Sequence, residues 1–185
     1  KLLPKNSSID LMLDPSNEYF LPFRWLGFKV SPRITYRFTD VSDIEAVRSK
    51  YDKMVRRNIK IARNKVEIIE EDNVDNLHAM LVKTFEHQGR SCPHKKEFIN
   101  SIFEACNEHD GAKVITAIDK DGNVHASSLF VYDEKTCYYL IAGADPTFRA
   151  SGAQTLVLDS GIEFASKHSK AFDFEGSMIE GIENF

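Results

Sequence analysis

Between residues 113 and 174 the apolar period of the chain changes twice, and nothing else in the sequence limits the fold so tightly. Residues 113–118, 124–132 and 137–142 are rich in β-branched and aromatic residues. The turn sequences Lys120-Asp121-Gly122-Asn123 and Asp133-Glu134-Lys135 separate them, which predicts an antiparallel meander. Ala153, Val157, Gly161, Phe164 and Ala165 then recur on one face of a helix, and residues 171–174 return as a strand. A helix placed between two strands after a meander crosses over the sheet, so the expected class is α+β, an α/β/α sandwich with a mixed, mainly antiparallel sheet flanked by helices.

Upstream of the meander the pattern is helical and strand-like by turns. Residues 34–38 (ITYRF) alternate as a strand, and Asp40 or Ser42 offers a cap for one helix running to about Lys65 through Ile44, Val47, Tyr51, Met54 and Val55. Residues 66–69 read as a short strand, and residues 76–87 and 96–108 as helices, the second stopped by Asp110-Gly111. Residues 1–33, interrupted by Pro4, Pro15, Pro22 and Pro32, read as a linker or the tail of a preceding unit, with the domain itself at residues 34–185. The first residue is Lys1, and the chain stops as residues 179–185 begin to read as a helical turn, so a C-terminally truncated fragment of a longer protein is expected.

Composition excludes some classes of function. A net charge of -4 does not suit a protein that wraps nucleic acid over its whole surface, although it leaves room for a local basic patch. Cys92, Cys106 and Cys137 are widely spaced, with no zinc or disulfide pattern, so no metal is indicated and a reducing, cytoplasmic setting is expected. No stretch approaches 18 apolar residues, and no integral membrane segment is expected.

Three groups of residues carry candidate chemistry. The loop from Gly143 to Ala153 joins strand to helix, and its small residues, its Arg149 and the free N–H groups of a helix start suit an anion, although a plain tight turn accounts for the same residues. In Phe172-Asp173-Phe174-Glu175 strand alternation puts both carboxylates on one face about 7 Å apart, close enough for one to raise the other's pKa and take a proton from an amine. The same two carboxylates equally suit plain hydrogen bonding. Between Arg48 and Lys65 cations outnumber a single acid, Asp52, and Arg56, Lys60 and Arg63 share a helical face with Arg57 beside them. That stripe reads either as a phosphate or tRNA contact or as a solvated face. Tyr139, in the last strand of the meander, is a wall aromatic or a general acid for a leaving group.

The stretch GADPTFRASGAQTLVLDSGIEFA, with FDFEGSMIEGIENF after it and LPFRWLGFKVSPRITYRF and MVRRNIKIARNK before it, resembles the GNAT acyltransferases, in particular their FemAB-like branch of peptidoglycan bridge-forming and related acetyltransferase proteins. In the GNAT donor loop an Arg or Gln is followed by two residues, then Gly, one residue and then Gly or Ala. Arg149 and Gly152 fill the first two places, and Gln154 stands in the third. The resemblance implies an N-acyltransferase working by direct attack, with acyl-CoA as donor substrate and a small-molecule or precursor amine as acceptor. The donor would lie against Ile141, Gly143, Arg149, Gly152, Ala153 and Gln154, and Asp173, Glu175 and Tyr139 would carry catalysis. It equally implies two alternatives. One is transfer from aminoacyl-tRNA to a cell-wall precursor, with Arg56, Arg57, Lys60 and Arg63 on the RNA. The other is a non-catalytic support domain beside a second GNAT-like unit of the full-length chain.

Overall fold

A computed structural model describes residues 8–176, which fall into two compact units, residues 8–35 and residues 36–176. The first holds one short helix, α1 (Leu21–Trp25), which Pro22 opens with its fixed φ. The residues read as a C-terminal helical turn, 179–185, lie outside those described.

The second unit runs β1 (Arg37–Phe38), α2 (Ile44–Ser49), α3 (Lys53–Arg63), β2 (Val66–Glu71), α4 (Asp75–His87), α5 (Lys96–Asn107), β3 (Ala112–Asp119), β4 (Val124–Tyr132), β5 (Thr136–Ala144), a 3-10 helix (Pro146–Ser151), α6 (Ala153–His168) and β6 (Ala171–Asp173). The strands form one sheet in the order β1-β6-β5-β4-β3-β2, antiparallel throughout except where β5 meets β6. That single parallel pair follows from α6, because only a crossover brings the chain back in the same direction. Apolar side chains on one face, among them Ile115, Phe130 and Phe172, pack with Val157 of α6 and Ala62 of α3. On the other, Val114 and Leu129 pack with Leu77 and Leu81 of α4 and Ile99 of α5. The α+β sandwich expected from the sequence is therefore the observed architecture.

Two elements differ from their sequence patterns. The strand expected at residues 34–38 is reduced to Arg37 and Phe38, because its partner offers only Asp173 and Phe172 to pair with. The single helix expected to reach Lys65 is two helices, capped by the carboxylates of Asp43 and Asp52 rather than by Asp40 or Ser42. Asp40 instead accepts from Ser42 in the preceding turn. The Arg56 guanidinium donates to the carbonyls of Ser49 and Tyr51, satisfying the end of α2 across the break.

A bulge in β5 decides which side chains face which helix layer. Leu129 pairs with Ile141 and Phe130 with Tyr139, so Leu140 has no opposite number. Strand alternation would put Tyr139 and Ile141 on one face, but the extra residue sends Tyr139 into the α6 layer and Ile141 into the α4 layer.

Candidate functional site

The sheet opens beside that bulge. β6 pairs with β5 only at Thr136, Cys137 and Tyr138. Phe174 then donates its N–H to the carbonyl of Tyr36, so the chain keeps to the β1 side and leaves β5. Glu175 follows with φ 61, a left-handed conformation that side chains other than glycine adopt at a cost. From Tyr139 onward β5 has no strand partner on this side among the described residues, until Thr84 of α4 closes the far end by accepting from the N–H of Ala144 and donating to its carbonyl. The result is a wedge between splayed strands, with the backbone of residues 139–142 on one wall and Glu175 at its narrow end.

At the wide end lies the start of α6. Gly152 has φ 74 and closes the 3-10 helix while opening α6. A Cβ built there would stand 2.5 Å from the Asn58 carbonyl oxygen, so glycine lets α3 lie directly against the loop. Ser151 Oγ accepts from the N–H of Ala153 at 3.2 Å, whereas the amides of Gln154 and Thr155 have no acceptor within the helix. Arg149 is exposed and makes no hydrogen bond or ion pair among the described residues. Free amides, a helix dipole and an unpaired guanidinium together favour an anion.

The side chain of Gln154 turns away from this loop to the Tyr139 hydroxyl, its Nε2 donating to that oxygen. The length of Gln154 therefore does not cover the helix start. Tyr139 is tilted against Phe130 with centroids 5.6 Å apart, and burial pushes its hydroxyl above the ordinary tyrosine pKa. Its oxygen is thus directed at α6. Gly143 differs from its sequence-based role as a close approach for ligand: a Cβ on it would stand 2.4 Å from Leu81 N, so its smallness serves the backbone of α4.

The two carboxylates predicted to share a strand face are separated by the end of β6. Asp173, 2% exposed, has its Oδ2 3.2 Å from Arg37 Nε and its Oδ1 accepting from Glu175 N–H at 2.8 Å. Arg37 in turn donates to Thr136 Oγ1 at 2.9 Å. Glu175 is half-buried, and the left-handed turn breaks the alternation before its side chain is placed.

The basic stripe also divides. Arg56, Lys60 and Arg63 line one cleft with Arg48, Tyr51 and Asp159. Arg56 is committed to the end of α2, and Arg63 reaches Asp159 at 3.4 Å. Arg48 grips the buried Asp159 and Glu163 of α6, bonds that raise its pKa above the usual arginine value. Arg57 and Lys60 are exposed with no such bond among the described residues; Arg57 precedes Asn58, the residue that touches Gly152, whereas Lys60 lines the cleft with Arg48.

Sequence reasoning missed Lys83, Thr84, Asp145 and His125, all of which contact the loop or its approach. Only Asp145 carried a local signal, as the capping residue before Pro146 and Thr147. The other three reach the loop from α4 and β4.

The acetyltransferase (GNAT) domain family matches residues 46–178. Among solved structures, the crystal structure of FemX superposes with a TM-score of 0.74 at 12% identity, over 90% of this chain and 63% of that one. A conserved protein of unknown function from Bacteroides thetaiotaomicron superposes with a TM-score of 0.57 at 16% identity, over 81% and 53%. The C-terminal domain of a putative lysylphosphatidylglycerol synthetase from Agrobacterium fabrum gives 0.52 at 13% identity, over 76% and 48%. Such identities establish a shared fold, and the chain spans at most 63% of each of these structures. No curated protein sequence matches it.

Proposed function

The chain belongs to the acetyltransferase (GNAT) domain family, and from that premise we propose that it is an N-acyltransferase in which an amine attacks an acyl-CoA bound in the wedge between β5 and β6. The observation that carries this reading is the unpartnered edge of β5 leading from Glu175 to the start of α6. Five residues of open strand span about 16 Å, and an extended, amide-containing donor can pair with such an edge as an added strand does. Its anionic end then meets Arg149 and the amides of Gln154 and Thr155, and its carbonyl comes to rest beside Ile141 and Ala142. Backbone N–H groups there stabilise the oxyanion as the amine adds. Glu175 takes the proton from the attacking nitrogen, the carbon–sulfur bond breaks, and the thiolate leaves. Asp173 and Tyr139 serve the site by holding β1 to β6 and α6 to β5.

The test is donor binding by Arg149→Glu, an exposed position whose change leaves the core alone. Titration with acetyl-CoA is expected to show about tenfold weaker binding, the scale of losing one charge-assisted contact. Unchanged affinity would rule out this loop as the anion site.

A second reading makes the donor an aminoacyl-tRNA and the acceptor a cell-wall precursor. Arg57 and Lys60 support it, since both are exposed cations on α3, the helix that touches the loop at Gly152, and can contact phosphates beyond one pyrophosphate. Arg57→Glu with Lys60→Glu is expected to weaken aminoacyl-tRNA binding by about 10²-fold and to flatten its salt dependence, while acetyl-CoA binding stays within about twofold. Failure of the wild-type protein to bind either donor would favour a non-catalytic support domain.

A further inference from the structure

An anion site at a loop works only if the loop is held in one place, and three elements distant in sequence hold this one. Asp145, 6% exposed, is the point where they meet. Its Oδ1 accepts from Thr147 N at 2.9 Å and from Thr147 Oγ1 at 2.6 Å, which caps the 3-10 helix. Its Oδ2 accepts from Lys83 Nζ of α4 at 2.5 Å. Its N–H donates to the His125 carbonyl of β4 at 2.9 Å, and its carbonyl accepts from Phe148 N at 3.1 Å. The Phe148 ring lies flat on His125, with centroids 3.9 Å apart and 5° between planes, and His125 Nε2 stands 3.1 Å from Asp119 Oδ2.

Lys83 makes this more than an ordinary turn. The Asp145–Thr147 cap suffices to start a helix, whereas an ion pair to a neighbouring helix ties the loop to the layer that also grips Ala144. The pair also has an electrostatic consequence for the loop. A buried carboxylate four residues before Arg149 opposes any anion brought there unless its charge is cancelled, and Lys83 cancels it. Burial by itself would raise the pKa of Asp145, but Lys83 and the two Thr147 donors outweigh it and hold the value at about 2. The carboxylate therefore stays charged and paired throughout the working range of pH.

We propose that Asp145, neutralised by Lys83, is the positioning residue of the donor loop: it fixes Arg149 and the first amides of α6 without touching the donor. This rests on the acyl-donor reading of the loop. Lys83→Met leaves the Asp145 charge unpaired beside the anion, Asp145→Asn loosens the loop but removes the charge, and the double variant restores neutrality.

Hydrogen exchange and donor binding decide it together, on the whole protein with acetyl-CoA and alanyl-tRNA as probes. Lys83→Met is expected to speed amide exchange at residues 146–155 and to weaken binding of the true donor by about 10- to 100-fold. Lys83→Arg is expected to stay close to wild type, and Lys83→Met with Asp145→Asn to recover part of the affinity. KM for the acceptor is expected to stay unchanged, which general destabilisation would not allow. Unaltered exchange in the loop of Lys83→Met overturns the proposal, as does faster exchange with no loss of donor affinity. If wild-type protein binds neither probe, the acyl-donor reading fails, the donor role falls with it, and the exchange data alone decide whether the ion pair holds the loop.

Discussion

Glu175→Gln lowers kcat by about 10²- to 10⁴-fold with little change in melting temperature, because it removes the proton acceptor while keeping the size and polarity of the side chain. Of the two carboxylates at the end of β6, Asp173 is ill placed to accept that proton. It is buried, paired with Arg37 and engaged by the Glu175 N–H. Glu175 is half-buried at the narrow end of the wedge, in a left-handed conformation that costs about 1–2 kcal/mol for a residue with a Cβ. A glycine there would relieve that cost, so Glu175→Gly is expected to match or exceed wild-type stability while losing activity to the same extent. Steady-state rates and thermal unfolding of both variants check this, together with the loss of the acidic limb from the pH–rate profile. A kcat within about threefold of wild type in Glu175→Gln would remove this residue from the mechanism. Asp173→Asn is the contrasting case, since it leaves the partly buried Arg37 without its counter-ion and its main effect falls on stability.

Gly143→Ala is expected to lower stability by about 3 kcal/mol or more, from a single methyl group. The added Cβ would stand 2.4 Å from Leu81 N, 2.5 Å from the Met80 carbonyl carbon and 2.8 Å from Leu81 Cα, all backbone atoms of α4 that no rotamer change can move aside. The helix must lift as a body, and it carries Lys83 and Thr84, which grip the loop through Asp145 and Ala144. A melting temperature lower by about 6–12 °C is expected for a chain of this size, with donor affinity falling as well. A loss below about 1 kcal/mol in chemical denaturation would mean that α4 does not pack so closely on β5.

The same residue shows where local pattern stops being informative. A glycine before a strand-to-helix loop reads as a place for ligand, and so it read here; the close neighbour turned out to be a helix about 60 residues earlier in the chain. The helix break at residues 50–52 was hidden for a related reason. The apolar spacing through Ile44, Val47, Tyr51 and Val55 continues across it, and the break is fixed by the Asp52 cap and by Arg56 folding back onto two carbonyls.

What the sequence by itself determined is the set of features that depend on neighbours a few residues apart. The three strands of the meander follow from their alternation and turns, as in Asp119, whose carboxylate accepts from the N–H groups of Asp121 and Asn123. The crossover helix follows from its spacing. Tertiary structure alone decided the bulge at Leu140, the separation of Asp173 from Glu175, the inward turn of Gln154 and the clamp of Lys83 on Asp145. Each of these rests on strand register or on a contact with an element remote in sequence, and such contacts leave no periodic trace in the residues that make them.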